Sequence, residues 1–554
     1  MPAGVFFMVS PVSTAGPPGH GPLAGGPAGS RRTPVDFYPI HIMLKTIISA
    51  KLCGIEAVPV QIETSVTSGI GIHLVGLADA ATREALLRTV TAMQANGYLI
   101  PGKKIIINLL PADLHKTGFG YDLPIALGLI AASEQRALPL INDYIVAGEL
   151  GLDGSVRPVP GAVSIAALAA ANDGCRGVIL PSENALECAD CLGDIDVYGV
   201  DSLADAVRIL SGEPAEDRLL NANPGWAERE CPEKDMVDLA DIPGQEAAKR
   251  ALEIAAAGGH NINIIGPDGS PRSLLAKALP GLLPPMTRVE AEEVSRIYSA
   301  AGRHIGHNGF MKTRPFRAPL YEASLATLLG GGAGVLPGEV SLAHRGVLFL
   351  DEWGLFPKNM KEALGAVLED RSVTITRLRS RVTLPARFQL VTASAPCPCG
   401  RWGEGEGCTC TESQRRAFLD GMLTSGSRVT ERTDIQVFVH RSACGEPAPA
   451  AESSADVARR VAAARKVQAE RFIGEDITLN GEMNAAQVTR VVYETLPEAS
   501  VQILDRVVNG LGLRTKAVTP LLRVARTIAD LEGEKDVLPK HIAEAASFRY
   551  LDRI

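Results

Sequence analysis

A short apolar run at residues 262–265 leads into Gly266, Pro267, Asp268, Gly269, Ser270, Pro271, Arg272 and Ser273, and an apolar helical pattern follows over 273–279. Further along, Gly346, Val347, Leu348, Phe349 and Leu350 form a second apolar strand that ends in Asp351 and Glu352. Strand, turn and helix in that order fit a parallel α/β core. The spacing is that of the phosphate-binding loop G-x4-G-K-[ST], and a strand ending in paired carboxylates is what a Mg²⁺ site beside such a loop requires. Two positions depart from it: Pro271 stands for the second glycine and Arg272 for the lysine.

Those departures fall where the chemistry is. A phosphate loop works because successive backbone N–H groups and a helix N-terminus point at the phosphates. Proline has no N–H and fixes φ near −65°, so position 271 gives up a donor. Arginine keeps the charge but presents a planar fork instead of a compact ammonium. Ser273 still offers a hydroxyl to Mg²⁺, Asp351 an outer-shell carboxylate, and Glu352 a group to orient the attacking water. Taken alone, 266–273 also reads as an ordinary turn, because Gly, Pro, Asp and Ser are the common turn formers.

The surrounding segments decide between these readings. Asp241-Ile-Pro-Gly-Gln-Glu-Ala-Ala-Lys249 precedes the loop, and Arg314-Pro-Phe-Arg-Ala-Pro319 and Pro337-Gly-Glu-Val-Ser-Leu-Ala-His344 precede the Asp351–Glu352 strand. Pro385-Ala-Arg-Phe-Gln-Leu390, Pro396-Cys-Pro-Cys-Gly400 and Val524-Ala-Arg-Thr-Ile-Ala-Asp-Leu531 follow. In this order the chain from Met43 to its end resembles the magnesium-chelatase-subunit-I-like AAA+ ATPases, specifically their ComM/YifB group. The resemblance implies ATP and Mg²⁺ as ligands and a Lon-protease-like N-terminal α/β domain. It also implies a parallel-sheet AAA+ core, a helical C-terminal lid and self-association into a ring, a hexamer. For the ComM branch it implies action on DNA in recombination, branch migration and natural transformation.

The same resemblance exposes further departures. The sensor asparagine before Pro396 is Ala395, which cannot hydrogen-bond a water or a γ-phosphate. Val429-Thr-Glu-Arg-Thr-Asp434 keeps the catalytic arginine, Arg432, without its usual neighbours. Arg514-Thr-Lys516 and Pro520 replace lid sensor positions, and Leu320-Tyr321 replaces a pair of histidines. Together they predict weakened ATP hydrolysis. Three functions stay open: a DNA-acting ATPase with impaired turnover, a non-enzymatic pseudo-ATPase scaffold or ring subunit, and a chelatase motor that needs partner subunits.

Cys397-x-Cys399-x8-Cys408-x-Cys410 is the second constellation. Four thiolates this close, with Pro398, Gly400, Gly403, Gly405 and Gly407 allowing tight turns, suit a tetrahedral, structural Zn²⁺ site. The alternative is a reduced, empty loop. Cys188-x2-Cys191 lacks a second pair and reads as helix surface.

Arg377, Arg379 and Arg381 alternate, so on one strand their side chains would share a face. By resemblance the segment belongs to a hairpin facing the ring pore, where arginines would follow DNA phosphates without reading bases. A solvated edge strand guarded by charge fits the pattern equally well.

A length of 554 residues fits three or four units at about 150 residues each. A net charge of −8 argues against a wholesale nucleic-acid coat, though local basic strips can still hold a backbone. No apolar run reaches the roughly 20 residues that span a bilayer, and the ten cysteines, scattered except for that one tight group, do not form a secretory framework. These features predict a cytoplasmic protein with no membrane partner. Residues 1–42 are Gly- and Pro-rich and read as a disordered leader or a mis-called start; a functional tail is the other reading. The expected units are 43–218 (Lon-like), 219–238 (linker), 239–440 (AAA+ core with the cysteines) and 455–554 (helical lid). In the first, Phe119 stands near where a nucleophilic serine would be sought, so peptidase chemistry is not expected.

Overall fold

Apolar residues alternate with polar ones along Glu56–Thr67 and Lys104–Leu110, and both runs are strands that bury Val60, Ile62, Ile105, Ile107 and Leu109 on one side. The computed structural model describes residues 43–76, 80–112, 120–191, 195–220, 237–332, 335–377, 380–403, 407–425, 427–441, 452–513, 515–549 and 551. The 1–42 leader, most of the 219–238 linker, Phe119, Arg379 and Arg514 lie outside them.

The N-terminal region is a mixed sheet. Its strands are β1 (Met43–Cys53), β2 (Glu56–Thr67), β3 (Gly71–Val75), β4 (Lys104–Leu110), β5 (Tyr144–Val146), β6 (Gly177–Pro181) and β7 (Asp196–Val200), in the spatial order β3-β4-β2-β1-β5-β6-β7. β1, β2 and β4 pair antiparallel, whereas β5, β6 and β7 run parallel. Helices α1 (Ala80–Ala95) and α2 (Asp122–Ala132) pack on it, and α2 is buried along its whole length. Cys188, expected at a helix surface, is instead fully buried beneath this sheet. A free thiol behaves as a small apolar group, and its neighbours Ala185 and Val197 treat it as one.

The second sheet is parallel throughout. It comprises β8 (Ile262–Ile265), β9 (Phe316–Arg317), β10 (Val347–Leu350), β13 (Gln389–Ser394) and β14 (Ile435–Phe438), ordered β9-β10-β13-β8-β14. β8 and β10 are buried at every position, as apolar runs covered on both faces must be. Helices α3 (Glu246–Gly258) and α4 (Arg272–Leu282) cover it. Between β10 and β13 a hairpin projects, β11 (Ser372–Arg377) and β12 (Ser380–Pro385), with Thr376 opposite Arg381 and Arg377 opposite Ser380. Arg377 thus closes one strand of the hairpin and Arg381 lies on the other, so these two do not alternate along one strand.

The C-terminal region is helical, and its longer helices are α5 (Ser454–Arg471), α6 (Glu498–Leu511), α7 (Thr515–Leu531) and α8 (Pro539–Ser547). Leu521, Val524, Ala525 and Ile528 form the buried stripe of α7, which begins at Thr515 and so contains Pro520. One apolar cluster runs through α3, β8 and these helices. Polar ties cross the same boundary. His260 lies between Asp434 Oδ2 (2.7 Å) and Thr527 Oγ1 (2.8 Å), fully buried. Gln468 donates to the Ala257 carbonyl at 3.1 Å, and Arg465 to that of Ala256 at 2.6 and 2.8 Å. No helix among the described residues is long and apolar enough to cross a membrane.

Candidate nucleotide site and cysteine cluster

Two strands of the parallel sheet deliver the site. β8 runs into 266–273, and β10 ends in Asp351 and Glu352. Gly266 lies so close to Val439 and Ser270 that an added Cβ would come within 2.5 and 2.6 Å of their side chains. Gly269 adopts φ +84°, which an L side chain rarely takes. Pro271, with φ −78° and ψ 38°, caps α4, so Arg272 and Ser273 open the helix.

The side chains converge as the spacing predicts. Ser273 Oγ donates to Asp351 Oδ2 at 2.9 Å, and the Glu352 N–H donates to Asp351 Oδ1 at 2.9 Å. A hydroxyl beside a carboxylate held in this way fits the shell of a hydrated Mg²⁺. Glu352 sits at φ 50°, a left-handed conformation that costs a non-glycine residue about 1–2 kcal/mol. Its carboxylate meets Arg272 Nη2 at 2.9 Å, and the same nitrogen lies 3.6 Å from Asp268 Oδ1.

The loop amides are arranged differently from a phosphate cradle. Ser270 N–H donates to the Pro267 carbonyl at 3.1 Å and Arg272 N–H to the Ser270 carbonyl at 2.9 Å, while Pro271 has none to give. Among the side chains of the loop, Arg272 Nη1 is buried and without a hydrogen-bond partner, and so is left for an anion. The residues thus fit a nucleotide phosphate held by the Arg272 fork, with fewer backbone donors than an intact loop. At the sensor position Ala395 offers only a methyl, and the neighbouring Ser394 hydroxyl does not replace it. That hydroxyl is turned into the sheet, 3.3 Å from Asn263 Oδ1.

Arg432 is elsewhere. Its carbonyl accepts from Asn261 Nδ2 at 2.8 Å, and Asn261 immediately precedes β8, whereas the phosphate loop follows it. A four-residue strand separates the two ends of the sheet by about 13 Å. The Arg432 side chain pairs with Glu369 at 3.4 Å and lines a cavity of about 600 Å³ with Arg314, Arg345, Arg371, Arg387 and Arg523. Burial lowers the pKa of Arg371, opposed by Glu482 and reinforced by Arg387, Arg432 and Arg523. Burial also brings Arg465, on the same cavity, down to about 9. Sequence reading misses this cavity, because only the fold collects arginines spread along the chain.

Arg377 and Arg381 stand at the hairpin tip, and Arg381 is exposed. Arg371, at its base, is tied by Nη1 to Glu482 at 2.9 Å.

The four cysteines come together. Cys397 Sγ lies 3.3 Å from Cys399 and 3.8 Å from Cys408, Cys399 lies 3.6 Å from Cys408, and the ligand atoms of all four are within 4.8 Å of one another. Zn–S bonds of about 2.3 Å place sulfurs about 3.8 Å apart at the corners of a tetrahedron, so the set fits zinc. N–H groups of Arg401 and Thr409 draw the Cys399 thiol down to about 5, whereas burial pushes Cys397 up and Cys410 up to about 12. Four sulfurs leave no open position for catalysis.

Three family models match the chain in order: subunit ChlI of Mg-chelatase over 62–184, magnesium chelatase subunit ChlI over 238–446, and the ChlI C-terminal region over 451–549. The chain is 38% identical over 505 residues to YifB, an uncharacterized protein of Salmonella typhimurium, covering 90% of this chain and 96% of that one. It is 36% identical over 517 residues to competence protein ComM of Haemophilus influenzae, covering 92% and 98%. A shorter match, 34% over 115 residues, joins 21% of this chain to 24% of the DNA repair protein RadA of Escherichia coli. With its mixed α/β architecture, parallel-sheet core and helical C-terminal region, the chain belongs to the magnesium-chelatase-subunit-I-like AAA+ family, in its ComM/YifB group.

Proposed function

We propose that this chain is an ATP-binding ring subunit that acts on DNA and whose own hydrolysis is weakened. The observation that carries the reading is the Arg272–Glu352 pair at 2.9 Å. The carboxylate that would orient water is engaged by the residue that would hold phosphate. Mg²⁺ with ATP supplies the electrophilic phosphoryl group and neutralises its charge. Toward it the chain contributes Arg272 as an anion-binding fork, Ser273 and Asp351 as the metal-side oxygens, and the remaining donors of 266–270. Glu352 can orient water only after it leaves Arg272.

Arg432 lies at the far end of the sheet from its own phosphate loop, so its catalytic role is at the site of a neighbouring subunit. A cavity crowded with arginines that lower one another's pKa is a surface that gains from meeting phosphate. This is what supports a ring, a hexamer as in the family. DNA is the substrate suggested by the names of the relatives, competence protein and DNA repair protein. The segment of Arg377, Arg379 and Arg381, of which Arg381 is exposed, is the proposed contact. Zn²⁺ in the cysteine cluster is structural, and the setting is the cytoplasm, where clustered thiols stay reduced.

One observation favours the rival scaffold: the inward-turned amides of Ser270 and Arg272 suit a loop that no longer wraps phosphate. ATP binding and DNA-stimulated hydrolysis, measured on the purified chain with Mg²⁺, separate the two. Binding with slow turnover supports the proposal. No binding at millimolar ATP supports the scaffold, and brisk turnover abolished by Glu352→Gln refutes both.

A further inference from the structure

We propose that a metal ion in the cysteine cluster sets the shape of the phosphate loop, so that metal occupancy and nucleotide affinity are coupled. This rests on the reading of Cys397, Cys399, Cys408 and Cys410 as a zinc site and adds a regulatory consequence to it.

The coupling begins in the sheet. β8 and β13 are parallel neighbours, with Ile265 opposite Ser394, so the phosphate loop and the cysteine loop leave the same edge side by side. Gly266 N–H donates to the Ser394 carbonyl at 3.1 Å where they part. They meet again further out. Asp268 N–H donates to the carbonyl of Gly400 at 3.1 Å, and Gly400 N–H closes a turn onto the carbonyl of Cys397 at 3.0 Å. Gly400 has φ +70°, and a Cβ there would come within 2.6 Å of the Asp268 carboxylate. The residue that accepts from the phosphate loop thus directly follows one cysteine of the cluster, in a turn closed by another.

Asp268 is held from its other side as well. Its carbonyl accepts from Arg441 Nε at 2.6 Å, just beyond β14. The cysteine loop is seated on the same strand, with Trp402 edge-on to Phe438 at 6.1 Å between ring centroids. Asp268 in turn faces Arg272 at 3.6 Å, the residue that engages Glu352. A continuous set of contacts therefore runs from the sulfurs to the phosphate-binding guanidinium: Cys397 and Cys399, Gly400, Asp268, Arg272.

Physical chemistry gives the direction. With zinc bound, four sulfurs are fixed at tetrahedral corners and Gly400 is fixed with them. Without it, nothing bonds the sulfurs together, and the turn that presents the Gly400 carbonyl is free to open. Asp268 then loses its acceptor, and the loop no longer holds Arg272 in place. By linkage, nucleotide in the loop must tighten zinc by the same factor that zinc tightens nucleotide.

The test uses the full-length reduced protein in three states: zinc-loaded, stripped with a chelator, and re-loaded. It adds two variants, Cys408→Ser with Cys410→Ser, and Gly400→Ala, which keeps every cysteine. Zinc content, ATP affinity with Mg²⁺ and amide hydrogen exchange over 266–273 are read for each. Stripping is expected to speed exchange at Asp268 and weaken ATP binding by about fivefold or more, and re-loading to restore both. Gly400→Ala is expected to keep about one zinc per chain and yet show the loosened loop. If zinc is bound but stripping changes neither exchange nor affinity, the coupling is wrong and the zinc site stands. If no zinc is bound, the site reading and the coupling fall together. If ATP binds to no form, the coupling falls together with the ATP-binding reading, and exchange then reports only whether zinc shapes the loop.

Discussion

Arg272 Nη2 reaches the Glu352 carboxylate at 2.9 Å while its other amino nitrogen is buried and unpartnered. The pair joins the residue placed to hold phosphate to the residue placed to orient water. Restoring Pro271→Gly, Arg272→Lys and Ala395→Asn together is expected to raise ATP hydrolysis at least tenfold, roughly the effect of regaining one or two charge-assisted contacts. Glu352→Gln on that background should erase the gain. Arg272→Lys alone should do little, because groups acting as one unit are not additive. Steady-state phosphate release checks each step.

The role proposed for Arg432 at the neighbouring subunit's site makes a distinctive mixing prediction. On the restored background, Arg432→Ala and Glu352→Gln should each abolish turnover, with a loss of about 10³-fold or more for the arginine. Mixed in equal amounts, the two dead proteins should recover activity, because about a quarter of interfaces in a cyclic ring then pair an intact Glu352 with an intact Arg432. No recovery on mixing would overturn the assignment of Arg432 to the neighbouring subunit's site.

The hairpin arginines predict binding that depends on salt and ignores sequence. Affinity for DNA should fall steeply as salt rises. Removing Arg377, Arg379 and Arg381 should flatten the log–log slope by about 0.7–0.9 for each phosphate that is no longer neutralised. A triple variant whose affinity tracks the unmodified chain across a salt series would remove this hairpin from the DNA site.

Asp122 carries a pH signature into the N-terminal sheet. Burial raises its pKa to about 6, against the opposing pull of Arg88 at 3.0 Å and the Leu150 N–H. In the unfolded chain the group titrates near 3.9. Between these values the folded protein holds the extra proton, so this residue's contribution to stability falls as pH rises from about 4 to 6 and stays low above it, by roughly 2–3 kcal/mol. Urea unfolding at pH 5 and pH 7.5 should show Asp122→Asn gaining most, relative to the unmodified chain, at the higher pH. An equal difference at both would contradict the assignment.

The parts legible in the sequence are those fixed by neighbours along the chain. Residues 262–273 and 346–352 each carry a strand and its outgoing turn within one short stretch, so their convergence follows from the parallel-sheet rule alone. The cysteines are legible for the same reason. The alternation of Arg377, Arg379 and Arg381 misleads, because a period of two looks the same on one strand as across the tip of a hairpin whose turn has no Gly or Pro to mark it. Cys188 misleads because burial of a small thiol leaves no pattern of its own. The arginine cavity has no local signal: Arg314, Arg371, Arg432 and Arg523 meet only because β8, β10 and β13 begin at one edge and the lid helices pack against it.

The buried His260 bridge has a mechanical consequence. A lid hinged on its core must slide or part from it, and here that motion would strip Asp434 and Thr527 from the same imidazole, free the Gln468 and Arg465 anchors, and open one continuous apolar cluster to water. Core and lid are therefore one lever. Any displacement of the sheet that carries the phosphate loop would therefore take the C-terminal helices with it, and in the ring proposed above it would reach the joints between subunits.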